Sequence, residues 1–265
     1  MHLLNVYRIR LSLALATLVQ YRASLVIWLL GLIVEPVIYM AVWTQVTRET
    51  GSVAGYSAAD FAAYYLTWML VRHFSTAINP ATIERRVRRG EFSQMLLYPV
   101  HPIHMDVADV LGFKLVALPT VLVTLLLLAL AFPPTFALEW WSIPAFILAL
   151  LLAFPIRFVF SWLLGLVAFW TTWARSIYGI FGVAEIFLTG RLAPLSLLPG
   201  WAMMLASALP FRWMLSFPVE VLTGKLTPDE VVVGLLMQGI MLAVLTALLA
   251  VVWSLAVERY SAVEG

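Results

Sequence analysis

Cysteine is absent from the 265 residues, which excludes disulfides, thiolate nucleophiles and thiolate metal sites but does not bear on compartment. Charge is scarce as well. Only 11% of residues are charged, against about 25% in an ordinary soluble domain. With 63% hydrophobic residues and a mean hydropathy of +0.98, the chain reads as an integral membrane protein. No basic patch is interleaved with exposed aromatics, so nucleic acid is not an expected partner and the bilayer is. The net charge of +2 and pI near 9.0 come mostly from arginines on one side, and they report topology and headgroup contact.

Catalytic signatures are missing too. The phosphate-binding pattern Gly-x-x-x-x-Gly-Lys-Ser/Thr does not occur; Gly224-Lys225 lacks both the upstream glycine and the following hydroxyl. There is no His-Glu-x-x-His, no Gly-x-Ser-x-Gly and no pair of membrane aspartates, so neither ATP hydrolysis nor intramembrane hydrolysis is expected of this chain. Of the four histidines, His101 and His104 are spaced for a metal, but Pro102 disrupts the helix that ligation would need. No carboxylate cluster completes a site, so they read as loop histidines. A chain of this kind moves something or anchors something.

What is present is a series of apolar runs. Residues 1–22 place Asn5, Arg8 and Ser12 at helical spacing around a short apolar stretch, as expected of a helix lying in the membrane interface rather than a cleaved signal. Crossings are expected near 24–44, 61–83, 107–132, 143–172, 177–189 and 231–257, the fifth short unless its helix continues beyond 189. Pro36 and Pro155 are expected to kink their helices. Thr227 reads as an N-cap with Pro228 at the first helical position. Arginine and lysine fall at 8, 10, 22, 85, 86, 88, 89, 175 and 259 on one side and at 48, 191, 212 and 225 on the other. This asymmetry puts both termini in the cytoplasm. The stretch 190–218, with Pro194, Pro199, Pro210 and Pro218 among apolar residues, reads as two short helices dipping into the outer leaflet. Such backbone survives at membrane depth only when buried in protein or lining a cavity.

Four ionisable residues fall within crossings, Glu35, Arg72, Arg157 and Glu185, where an unpaired charge costs about 2.5–3.5 kcal/mol on insertion scales. Depth counting allows a Glu35–Arg72 pair and an Arg157–Glu185 pair as structural ties, with a proton or substrate relay as the alternative. Lys114 reads as a snorkelling residue near an inner end.

The one dense block of charge is Glu84-Arg85-Arg86-Val87-Arg88-Arg89-Gly90-Glu91-Phe92. It turns apolar at Met95-Leu96-Leu97 and closes on Tyr98-Pro99-Val100-His101-Pro102. A topology signal would not need the apolar run, whereas an amphipathic element lying against a partner would. This segment is similar to the cytoplasmic motif "(I/V)-x-x-G-x-hydrophobic … L-L-(R)-P-(V/I)" of the permease subunits of ABC type-2 exporters, in the six-span branch whose ATPase is a separate chain. A second segment, Gly190-Arg191-Leu192-Ala193-Pro194-Leu195 through Pro199-Gly200-Trp201 to Leu209-Pro210-Phe211, resembles that family's outer element "G-x-x-x-P-L-x-x-x-P-x-W … L-P-F". Tyr98 stands where the family often has arginine, and Arg191 where a small or apolar residue is expected.

The resemblance implies an all-α fold of six transmembrane helices, with an N-terminal interfacial helix, a cytoplasmic coupling element at 84–102 and a re-entrant outer element at 190–218. It implies an export permease of a prokaryotic cytoplasmic (inner) membrane, moving an amphipathic or hydrophobic drug, lipid, peptide or glycan. Its partners would be two copies of a cytosolic ATPase, which hold the ATP and magnesium, and a second permease, identical or paralogous. No cofactor is expected in this chain. Glu84, Arg85, Arg88, Gly90, Glu91 and Phe92 would touch the ATPase, with Leu96 and Leu97 seating the element on the bundle. Gly190, Pro194, Pro199, Trp201 and Pro210 would shape the outer element. The rival readings are an ion-coupled transporter or channel using the buried charges, for which no internal repeat is visible, and a non-transporting anchor, which would not need those charges.

Overall fold

A computed structural model describes residues 3–20, 22–171 and 173–264. Those residues are mainly helical and contain no strand. Eleven α-helices are described: α1 (Leu3–Gln20), α2 (Arg22–Thr50), α3 (Ala58–Ser75), α4 (Pro80–Arg88), α5 (Glu91–Leu96), α6 (Pro102–Ala131), α7 (Ser142–Leu166), α8 (Ala174–Leu188), α9 (Gly200–Ala208), α10 (Phe217–Leu222) and α11 (Pro228–Glu264). Among the described residues, three helices are long and apolar enough to cross a membrane: Pro102–Ala131, Ser142–Phe169 and Pro228–Arg259. A bent pair, Gly200–Ala208 with Arg212–Leu222 at 84°, makes a fourth if counted as one span.

The central helix is α3. Phe61, Tyr65, Met69 and Val71 are each fully buried, and Ala63, Tyr64 and Trp68 nearly so. Apolar residues cover it all round, so it sits inside the bundle and not at its edge. It packs against α2, α6, α7 and α10. Its start is fixed by a capping box: Ser57 accepts from Asp60 N, and the Asp60 carboxylate accepts from Ser57 N. The outer half of α7 buries Phe146, Ala149, Ala153 and Ile156 at spacings of three and four, the stripe expected of a helix with one core-facing side.

Several boundaries differ from the sequence reading; α2, for one, runs to Thr50 and not to 44. The helix expected to make the second crossing, to Ile83, ends as α3 at Ser75, because Asn79 caps α4 by accepting from Ala81 N and Pro80 occupies its first position. The third, expected from Val107, begins at Pro102, where the His101 ring accepts from Ile103 N. Pro36 and Pro155 lie inside helices that continue past them. Thr227 caps α11 as expected, in a reciprocal box with Glu230.

Gln238 sits in the first third of α11, fully buried, and its Nε2 donates to Ala149 O at 3.0 Å and to Trp213 O at 2.9 Å. Trp213 belongs to a π-helical turn, Arg212–Ser216, whose wide winding leaves carbonyls in need of donors. The amide thus joins three elements.

The backbone of α7 comes close to α4 at Gly165, where an added Cβ would meet Cβ, Cγ1 and Cδ1 of Ile83 at 3.0 Å or less. Gly165→Ala is therefore expected to overpack this contact and cost about 1–3 kcal/mol. Thermal unfolding in detergent measures the loss, and adding Ile83→Ala, which removes two of the three crowding atoms, recovers part of it.

Candidate functional site

The segment of α4 and α5 is a two-sided structure. Gly90 adopts φ +70°, a left-handed conformation that glycine takes without penalty, and there the chain divides into α4 and α5. On the inner side Ile83 and Phe92 are fully buried. Phe92 lies edge-on to Phe169 at 5.2 Å and beside Trp253 at 5.9 Å. On the outer side Arg85, Arg88, Arg89 and Glu91 are exposed. Arg88 pairs with Glu84 at 3.2 Å, and Arg89 with Glu91 at 3.8 Å.

Within the expected contact set Phe92 and Glu84 are buried, Phe92 among aromatics and Glu84 beneath Arg88. Leu96 packs on the core, whereas Leu97, expected to seat beside it, is 86% exposed. An open groove runs between Arg85, Arg88 and Arg89 of the element and Arg175 at the start of α8.

What holds α4 in place is an acid that sequence reasoning passed over. Asp106, 1% exposed in the first turns of α6, accepts from Arg86 at 2.7 Å and from Trp162 Nε1 at 2.9 Å. One carboxylate thus ties α4, α6 and α7. The available signal was its position, an acid with Asp109 at the start of a long apolar run. The histidines after the element are structural. The His101 ring lies tilted against Trp253 at 4.4 Å, and burial, followed by the nearby His104, holds its imidazole below the usual histidine range. It is thereby neutral near pH 7 and free to accept from Ile103 N.

Deeper in the bundle the structure brings the four expected charges together by pairs and adds two more. Arg72 Nη1 lies 2.7 Å from Glu35, and Arg157 contacts Glu185 directly. Arg191, from the loop after α8, also grips Glu35, with Nη2 at 2.8 Å and Nε closer still. Lys114 does not snorkel. It is 5% exposed, with Nζ donating to Phe74 O at 2.6 Å and lying 3.3 Å from the Phe154 ring centre. The break after α3 explains this, since carbonyls in a last helical turn have no helical donor.

The outer element is stitched to α3 by hydroxyls. Tyr64 donates to Gly190 O and Tyr65 to Leu192 O, each at 2.7 Å. At Gly190, with φ +72°, a Cβ would strike the Tyr64 hydroxyl and Ser216 Oγ. Pro194 is buried and precedes a 3-10 turn at Leu195–Leu197; Pro199 caps α9; Trp201 is 63% exposed; Pro210 is buried at the 84° bend. Among the described residues no group of three histidines, aspartates or glutamates is placed to hold a metal.

A family model described as ABC-2 family transporter protein matches residues 32–263, which takes in α4 and α5, the paired charges and the 190–218 segment. The chain belongs to the ABC-2 transporter family. No curated protein matches it. An ABC-2 permease is a membrane transport component and not itself a catalyst.

Two outcomes follow for this ABC-2 permease. Removing one partner of a buried ion pair leaves the other charged, at a cost of roughly 3–5 kcal/mol, so Asp106→Ala should lower thermal stability in detergent and expose α4 and α5 to protease while insertion persists. Charge exchange should separate the two membrane pairs. Arg157→Glu with Glu185→Arg recovers the stability lost in each single reversal, whereas Arg72→Glu with Glu35→Arg does not, because Arg191 would then face a second guanidinium on α2 instead of a carboxylate. Recovery in both would contradict the three-residue arrangement.

Proposed function

We propose that this chain is the membrane permease of an ATP-driven export system, with six crossings supplied by α2, α3, α6, α7, α8 and α11. In this reading α1 lies in the interface, both termini are cytoplasmic, and the bent α9–α10 region re-enters the outer leaflet. The membrane is the cytoplasmic membrane of a prokaryote. The motor is a separate cytosolic ATPase, two copies per complex, which hold ATP and magnesium; the permease works with a second permease, identical or paralogous. The cargo is amphipathic or hydrophobic, of the drug, lipid, peptide or glycan class.

The observation that carries this reading is the architecture of α4 and α5. An exposed arginine rail is mounted on a buried anchor of Ile83, Glu84, Phe92 and the Arg86–Asp106 pair. A push on the rail has no soft element in which to dissipate. It passes through Asp106 and Trp162 into α6 and α7, and through Ile83 into Gly165. The family match supports the transport role, and the even number of crossings agrees with the arginine asymmetry. The ion-coupled alternative draws on Glu35, Arg72, Arg157 and Glu185; their direct pairing favours a fixed role over a relay.

Co-purification tests the reading. The wild-type chain should bring down a cytosolic ATPase whose hydrolysis it stimulates. Arg85→Glu with Arg88→Glu should abolish that stimulation and transport while leaving membrane insertion intact; preserved coupling would overturn the assignment.

A further inference from the structure

The charges at the inner end of α3 do not balance. Arg72 belongs to that turn, Arg157 donates to Ser75 Oγ at 3.4 Å, Lys114 caps Phe74 O, and Arg191 joins Arg72 on Glu35. Against them stand two carboxylates, Glu35 and Glu185. Even with Lys114 set aside, three guanidiniums, which keep their protons at any physiological pH, face two acids. The negative end of α3 offsets about half a charge at most. A surplus cation remains in a region where each unpaired charge costs about 2.5–3.5 kcal/mol.

The surplus is also reachable. The side chains of Arg72, Arg191 and Arg157 keep 28%, 29% and 19% of their surface open. Apolar side chains flank them on the outside: Val34 and Ile38 beside Glu35 on α2, and Val183 and Phe187 beside Glu185 on α8, are each about half exposed. Arginine forks with spare N–H groups suit the oxygens of phosphate or carboxylate. An apolar surround suits an acyl or aryl tail.

We propose that Arg72, Arg157 and Arg191 form the seat of an anionic headgroup, phosphate or carboxylate, carried by an amphiphile whose tail lies along the exposed faces of α2 and α8. This rests on the transport reading and narrows it, selecting anionic amphiphiles from the broader cargo class. The headgroup could belong to a transported molecule or to a resident phospholipid; the chemistry of the seat is the same.

The test uses the purified full chain in maltoside detergent with no ATPase present, so it stands apart from failure of the coupling assignment. Dodecyl phosphate is titrated while thermal unfolding is followed, with dodecyltrimethylammonium as the cationic control. A saturable upward shift is expected from the phosphate alone. Arg191→Gln or Arg72→Gln should weaken it about tenfold, as expected for loss of a charge-assisted contact. Glu35→Gln should strengthen it, because it adds to the surplus, and a folding defect would not produce that opposite sign. Equal shifts from phosphate and cation, or unchanged binding in both arginine variants, would overturn the proposal. So would absence of any shift, as when a carboxylate from a second copy already fills the seat. Native mass spectrometry then separates the sources: phosphatidylglycerol retained against excess dodecyl phosphate marks a resident lipid, and ready exchange marks cargo.

Discussion

Charge in hydrocarbon has no water to fall back on, and the last turn of α3 is where this chain meets that constraint. Helices α2, α6, α7 and α8 and the loop after α8 each send a charged side chain to one helix end or to the acids around it. None of these groups would be stable there alone. The bundle is therefore held by a polar hub as well as by apolar packing, which in lipid supplies little preference of its own between helices. The hub also joins the outer loop to the interior, since Arg191 comes from the same segment that Tyr64 and Tyr65 bind through its carbonyls.

The α4–α5 element follows the opposite logic. Arg85, Arg88 and Arg89 meet water and are worth little as ion pairs, so they add little to the fold. Its anchoring falls to buried groups, Phe92 among aromatics and Asp106 beneath Arg86. A segment rigid on one face and charged on the other is suited to transmitting force, and the glycine at position 90 sets the angle between its two helices.

Much of this was legible in the sequence. Apolar runs and caps located most helices, and the depth of Glu35, Arg72, Arg157 and Glu185 matched them in pairs because a helix rises by a fixed amount per residue. Arg191 was missed as a partner because it lies in a loop, where no periodicity states how far the chain folds back. Lys114 was misread because position along a helix does not reveal which face it presents, and an orphan carbonyl drew it inward. Leu97 and Phe92 differ by a rotation about a short helix, which has too few turns to define a stripe. The break at 76–79 was passed over, although Asn79-Pro80 carried the capping signal.

Gln238 gives α11 a fixed vernier. A helix that is apolar on every side can slide or rotate in lipid at small cost, since one leucine replaces another. With a fully buried amide held by carbonyls of both α7 and the π-helical turn, a slip of even one residue would strand those hydrogen bonds where nothing else can make them. The longest described helix is thus indexed to a single notch, and any tilt it undergoes must carry the π-helical turn along with it.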